Sequence, residues 1–304
     1  MIVELPDTTT SAISKALVKL REEGGAVALG RVLTLVIVGD GTDEDAIEAA
    51  NEASREHPMR VIVLSTAPSA PTRLDAQIRV GGDAGASDVI VLRAAGDTCS
   101  DQESLVTGLL LSDAPVVVWW PGEAPTDPGA SELGGIAQRR ITDAAAADDP
   151  VTALRLRGEH YRPGDTDFAW TRLTLWRAQL AAALDQPPYE PVTSAAVTGS
   201  SDSPSTELLA AWLRLQLQVP VELKMLEPGD GPNGIHAVRL ERASGTIELS
   251  RDFSGVAKLT QPGQPVHEIA LPRRSLRDCL AEELRRLDPD ELFGKVVRAG
   301  GHAK

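Results

Sequence analysis

Cysteine is almost absent from this chain: Cys99 and Cys279 stand alone in 304 residues, with no C-x-x-C pair. Two such residues make neither a disulfide scaffold nor a zinc ribbon, and both are expected to be reduced thiols. Aromatic residues are nearly as scarce, with three phenylalanines, two tyrosines and five tryptophans, so the placing of each tryptophan carries weight. Positive charge is outweighed, 30 basic against 44 acidic residues, for a formal net charge of −14. That balance excludes nucleic acid as a partner, because its affinity rests on neutralising phosphates with Lys and Arg. It excludes an anionic membrane surface for the same reason. No run approaches the roughly 20 apolar residues of a membrane span. The opening MIVELPDTTTSAISKAL holds no apolar stretch with a cleavage site, so a cytoplasmic protein is expected.

Catalytic motifs are missing too. The five histidines, His57, His160, His236, His267 and His302, show no pairing at helical spacing, so no metal is expected. No Walker A motif exists, since Gly294-Lys295 is followed by valine, and no G-x-S-x-G elbow appears. A literal G-x-G-x-x-G at Gly229, Gly231 and Gly234 is followed by an alternating strand and interrupted by Pro232, which reads as a hairpin loop. VIVGDGTDED sits better, at a strand–helix turn, but Asp40, Asp43, Glu44 and Asp45 would repel a pyrophosphate. It reads as helix capping. No cofactor and no enzymatic activity are expected. One loop keeps an alternative open: VTGSSDSPST joins a strand to a helix start, where Ser200, Ser201 and Ser203 would hold an anion such as a sugar phosphate. The plainer reading is a capped loop, with Ser203 at the N-cap and Pro204 in first helical position.

What the chain does have is regular alternation. RVLTLVIVG, MRVIVLS, DVIVLRAA and APVVVWWPG are continuous apolar runs, and RRIT is a shorter one; helical stretches lie between several of them. Such runs are strands buried on both faces, hence an open, mostly parallel α/β sheet. LDAQIRV alternates instead and reads as an edge or antiparallel strand. DQESLVTGLLLSD reads as a helix over 101–113. After a junction at 143–166, DFAWTRLTLWRAQLAAALD is a helix whose Trp170, Leu173, Trp176, Leu180 and Leu184 share one stripe. Five short alternating segments from VELKMLE to VHEIAL form an antiparallel meander, and the last two helices would cover its apolar face. The expected organisation is an N-terminal α/β domain over 1–160 and a C-terminal α+β domain over 161–304.

The surplus lies in tryptophan and arginine. Trp119 and Trp120 are adjacent at the end of a strand, so they face opposite sides. One is expected to pack inward and the other to line an exposed crevice. The order RVLTLVIV, HPMRVIVL, PVVVWWPG, RRITD, DFAWTRLTLWR resembles the glucose-6-phosphate dehydrogenase assembly protein family, OpcA. The resemblance implies a non-enzymatic assembly factor or activator whose partner is glucose-6-phosphate dehydrogenase, the entry enzyme of the oxidative pentose phosphate pathway. Trp119, Trp120, Pro121, Trp170, Arg172, Trp176 and Arg177 match its motif positions and are the candidate partner-binding residues. The alternative is a sugar-phosphate sensor or enzyme built on loop 198–206. Photosynthetic members of the family are linked to thiol redox control, for which Cys99 and Cys279 offer no motif.

Overall fold

The computed structural model describes residues 1–24, 30–39, 44–80, 88–227, 234–253 and 255–300, and its contacts divide the chain into two units. The first comprises 1–142, 164–166 and 275–289; the second comprises 143–163, 167–274 and 290–304. The sequence reading instead divides the chain once, between 160 and 161.

Unit one is built on strands β1 (Ile2–Leu5), β2 (Leu33–Gly39), β3 (Met59–Ala67), β4 (Arg73–Arg79), β5 (Asp88–Ala95), β6 (Val116–Trp119), β7 (Arg139–Thr142) and β8 (Asp165–Asp167). Helices α1 (Thr10–Gly24), α2 (Glu44–Ala53), α3 (Gln102–Thr107) and α4 (Glu132–Ile136) connect them. The sheet runs β1-β4-β5-β3-β2-β6-β7-β8. From β5 through β7 the neighbours are parallel, an order that reverses between β2 and β6 as in a doubly wound sheet. β2, β3 and β5 are valine- and isoleucine-rich because both their faces are buried, which selects continuous rather than alternating patterns. β4 alternates and pairs antiparallel with β5. It is not the edge, because β1 pairs antiparallel beyond it. The helix expected over 101–113 shortens to α3: Gly108 weakens it, and the Leu111 N–H donates to the Thr34 hydroxyl at 3.1 Å instead of a helical carbonyl. The loop carrying Asp40 and Asp43 lies outside the described residues.

Unit two contains α5 (Pro150–Glu159), α6 (Phe168–Thr171), α7 (Thr174–Leu184), β9 (Ser194–Ser200), α8 (Pro204–Leu217), β10 (Val221–Leu226), β11 (Ile235–Arg242), β12 (Gly245–Arg251), β13 (Val256–Thr260), β14 (His267–Ala270) and α10 (Glu291–Gly300). Its sheet runs β10-β9-β11-β12-β13-β14. β11 to β14 form the antiparallel meander, whereas β10 lies parallel to β9 at the far edge. The connection carrying Gly229 and Gly231 is therefore no hairpin loop, since its strands flank β9; residues 228–233 themselves are outside the described set. Val197, Val238, Leu240, Ile247 and Leu249 turn one face of this sheet into the core with Leu208, Leu209 and Leu213 of α8. The long helix expected from 167 breaks into α6 and α7, because the Leu173 N–H closes a tight turn on the Trp170 carbonyl at 3.0 Å. Its stripe survives the break: Trp170, Leu173, Trp176 and Leu180 are all buried.

The last two helices part company. α10 packs on α5 and α8 in unit two, but α9 (Leu276–Arg285) packs on α2 in unit one and does not cover the meander. Arg285 and Arg277 meet Glu56 and Glu52 there, at 3.0 and 3.7 Å, a charge match that the amphipathic pattern alone does not reveal.

Candidate functional site

Neither indole at the end of β6 is exposed: Trp119 is 0 % accessible and Trp120 3 %. Trp120 joins Val116, Val118, Leu133 and Ala137 in the core of unit one, while Trp119 faces the other side with Val117. The expectation that one ring lines an exposed crevice is thus corrected. Both faces of β6 are covered, so strand alternation sends each ring into a buried layer. The Trp120 N–H makes the last ladder bond, to the Ile141 carbonyl at 3.0 Å, and Pro121 follows with no N–H to donate.

In unit two the motif residues knit into a scaffold. The Trp170 indole N–H donates to Asp290 Oδ2 at 2.8 Å, and Asp290 Oδ1 in turn accepts the Phe293 N–H at the start of α10. The Arg177 guanidinium lies 3.7 Å from the centre of the Trp170 ring, a cation–π contact at close range. Arg172 is held by both oxygens of buried Asp143, at 2.7 and 2.6 Å, a bidentate fork. Asp143 ends the RRITD motif, yet only the structure reveals its part.

Arg172 and Trp176 also wall a cavity of about 250 Å³ that lies wholly within unit two. Its other polar walls are Asp202, Ser203 and Ser205 at the start of α8, Arg251 at the end of β12, and Arg273 and Arg274 in the segment after β14. Of the sequence-level candidates, Arg172, Trp176 and Ser203 come together here. Trp119, Trp120 and Pro121 belong to unit one, Trp170 meets the start of α10 while Arg177 lies on the Trp170 ring, and Ser200 and Ser201 are not on the cavity wall. The Ser200 hydroxyl donates to the Asp202 carboxylate, and the Ser201 N–H donates to the Leu226 carbonyl at 2.9 Å.

Main-chain contacts fix the walls. The Ser205 hydroxyl donates to the Ala169 carbonyl at 2.8 Å, and Arg274 to the Thr171 carbonyl at 3.0 Å, so α6 anchors two sides. Arg251 donates to the Ile235 and Leu271 carbonyls at 3.2 and 3.4 Å, with its guanidinium 5.6 Å from the Trp176 ring. Burial, and after it the like charge of Arg273, holds Arg251 below its ordinary pKa. Gly199 is required where β9 presses on α8: a Cβ there would come within 2.5 Å of Thr206 Oγ1 and 2.8 Å of the Gly234 carbonyl. Gly234, at φ +91°, takes the left-handed backbone that brings β11 up to the cavity. Ser203 occupies the N-cap of α8, but its hydroxyl accepts no capping bond from that helix.

Among the described residues, four guanidinium groups and one carboxylate line this cavity, in a chain of net charge −14. Arg251, Arg273 and Arg274 were not legible as a set. They come from two separate stretches, neither of which carries a motif. Among the described residues, no group of three or more His, Cys, Asp or Glu is placed to hold a metal. No described helix is long and apolar enough to cross a membrane. Cys99 is half-buried with its thiol 3.3 Å from the Ala94 carbonyl, Cys279 is fully buried in α9, and the two are not joined.

Comparison with known families gives two matches in tandem. Residues 50–159 match the glucose-6-phosphate dehydrogenase subunit N-terminal domain, and residues 163–297 match the C-terminal domain of the same subunit. No curated protein matches the chain. Among solved structures, the chain is similar to glucose-6-phosphate 1-dehydrogenase from Mycobacterium avium at 12 % identity and a TM-score of 0.43, covering 88 % of this chain and 90 % of that one. It is similar to UDP-N-acetylglucosamine 3-dehydrogenase from Acidithiobacillus ferrooxidans at 10 % identity and 0.42, covering 88 % and 95 %. An oxidoreductase from Bacillus cereus gives 10 % and 0.45, covering 90 % and 98 %. Scores of this size carry no conclusion about mechanism.

Proposed function

Because this chain belongs to the glucose-6-phosphate dehydrogenase subunit family, OpcA, we propose that it is a non-enzymatic cytoplasmic protein that binds glucose-6-phosphate dehydrogenase and favours its active state. The observation that carries the proposal is the pair of family domains, present in order over 50–159 and 163–297. The motif inventory agrees with it, since the sequence offers no Walker loop, nucleophile elbow or metal-ligand spacing to support a reaction of its own. To activate, the protein must bind the active state of the enzyme more tightly than the alternative state. A tenfold shift in that equilibrium needs only about 1.4 kcal/mol of differential affinity. The partner-binding role of the tryptophan–arginine motif is recast by its burial. Trp119, Trp120, Trp170 and Trp176 are proposed to act through the shape of the surfaces they support, with exposed neighbours making the contact.

The test is co-purification with the dehydrogenase of the same host, followed by titration of this protein into that enzyme at limiting glucose 6-phosphate. The expected result is a saturable rise in rate, or a change in oligomer size, with no turnover by this protein alone. A titration to excess that changes neither rate nor oligomer size overturns the proposal.

A further inference from the structure

We propose that the proline-bearing end of unit two, led by the exposed ring of Tyr189, docks this chain on glucose-6-phosphate dehydrogenase by entering an apolar pocket rimmed by basic side chains. The inference rests on the activator reading and supplies the contact which that reading needs. Exposure is the first reason. Tyr189 is 77 % exposed, whereas Trp119, Trp120, Trp170 and Trp176 are all buried. Pro187, Pro188 and Pro191 around it are exposed too, and Val266 stands 56 % exposed in a second proline-bearing turn, 261–266. Apolar side chains scattered singly over a surface are ordinary, but a group of them headed by an aromatic ring marks a contact surface.

The second reason is that this group is held still. Loop 185–191, the β11–β12 turn and turn 261–266 lie at one end of the sheet, because Ser194 at the start of β9 pairs with Glu241, and Glu248 of β12 pairs with Thr260 of β13. Arg242 donates to the Pro188 carbonyl at 3.0 Å, and the Glu190 N–H donates to the same oxygen at 2.8 Å. The Ser244 N–H donates to Glu190 Oε2 at 2.9 Å. Buried Gln261 donates from Nε2 to Gln186 Oε1 at 3.4 Å, which ties the second turn to the loop. Pro262 packs on Gly245, where a Cβ would come within 3.0 Å of its ring. A tyrosine ring presented on so constrained a loop loses little freedom on binding.

Charge describes the partner's side of the contact. Asp185 and Glu190 are the charged residues of stretches 185–191, 243–246 and 261–266, and neither is basic. Hydrogen bonds from the Ser244 hydroxyl and N–H hold the Glu190 carboxyl below its ordinary pKa, so it remains a carboxylate at neutral pH. An apolar knob flanked by two carboxylates, in a chain of net charge −14, is complementary to a hydrophobic pocket with Lys or Arg at its rim. A second copy of this chain, docked through the same surface, would set these acids against their own kind. The dehydrogenase is the occupant because both domains of the chain belong to its subunit family.

The experiment is calorimetric titration of the full-length protein into the dehydrogenase of the same host, at low and high salt. The unaltered chain is compared with Tyr189→Ala, with Tyr189→Ala/Val266→Ser and with Phe253→Ser as a control. Phe253 is 79 % exposed but follows β12, at the opposite end of the sheet. Circular dichroism confirms that each variant is folded, and melting should not change because the substituted side chains are exposed. Tyr189→Ala is expected to bind at least about tenfold more weakly, the double variant more weakly still, and Phe253→Ser like the unaltered chain. Salt should weaken the unaltered complex, and a complex indifferent to salt overturns the basic rim. Equal binding by the unaltered chain and folded Tyr189→Ala overturns the docking surface and leaves the activator proposal standing, as does an equal loss in Phe253→Ser. No binding by the unaltered chain overturns the activator proposal, and this surface with it. Size-exclusion chromatography of the chain alone completes the test: a dimer that Tyr189→Ala dissociates overturns the dehydrogenase as occupant in favour of a second copy.

Discussion

The two units use arginine in different ways. In unit one the buried arginines meet carboxylates: Arg139 pairs with Glu283, Arg140 with Asp165, and Arg31 with Asp88 at 2.6 Å. In unit two, Arg172 follows that pattern with Asp143, but Arg177 lies on an indole face, and Arg251 and Arg274 lean on carbonyl oxygens. A carboxylate neutralises a guanidinium and locks an element in place. A ring or a carbonyl oxygen orients it through contact with a neutral group. The parallel sheet of unit one has the strand order that supports a nucleotide crevice in other proteins, yet two buried indoles stand at its β6 switch point. The arginine-lined cavity sits in the antiparallel-rich unit instead. Topology alone does not place a site.

The largest expected effect comes from those indoles. Trp119→Ala and Trp120→Ala should each cost about 3–5 kcal/mol in denaturant unfolding, because both rings are buried and truncation leaves a cavity. A Trp119 or Trp120 variant that melts like the unaltered protein would break the view that this end of β6 is structural.

Next come the ion pairs. Glu283→Ala strands the buried Arg139 charge and should cost about 3–5 kcal/mol, while the double variant Arg139→Met/Glu283→Leu should recover most of that loss. Asp143→Asn should cost about 3 kcal/mol through Arg172. Chemical denaturation of the three variants checks these figures. The pattern sharpens the comparison: removal of one carboxylate should cost stability in either unit, because each strands a buried guanidinium.

Much of the fold was legible because its strands are driven by burial. DVIVLRAA and RRIT coincide with β5 and β7, and Ser203-Pro204 opens α8 as read. β1 escaped because four residues, IVEL, carry too short a pattern to register. The parallel pairing of β10 with β9 escaped because VELKMLE alternates like the meander strands, and alternation does not encode direction. α9 was assigned to the wrong layer because an amphipathic stripe names a buried face without naming its partner. The cavity was half visible. Ser203 stood at a strand–helix junction and Arg172 and Trp176 in a motif, but Arg251, Arg273 and Arg274 converge only through the register of β11, β12 and β14.

The smallest effect gives the cleanest contrast, between two serines at helix N-caps. In unit one the Ser275 hydroxyl accepts the Asp278 N–H of α9 at 3.2 Å, so Ser275→Ala should cost about 1 kcal/mol. In unit two Ser203 holds the same position on α8 without making that bond, so Ser203→Ala should cost no more than a few tenths of a kcal/mol. Ser203 lies on the cavity wall instead. Thermal melts of the two variants side by side check this. If Ser203→Ala destabilises as much as Ser275→Ala, then Ser203 acts as an ordinary cap, and the difference between the two helix starts disappears.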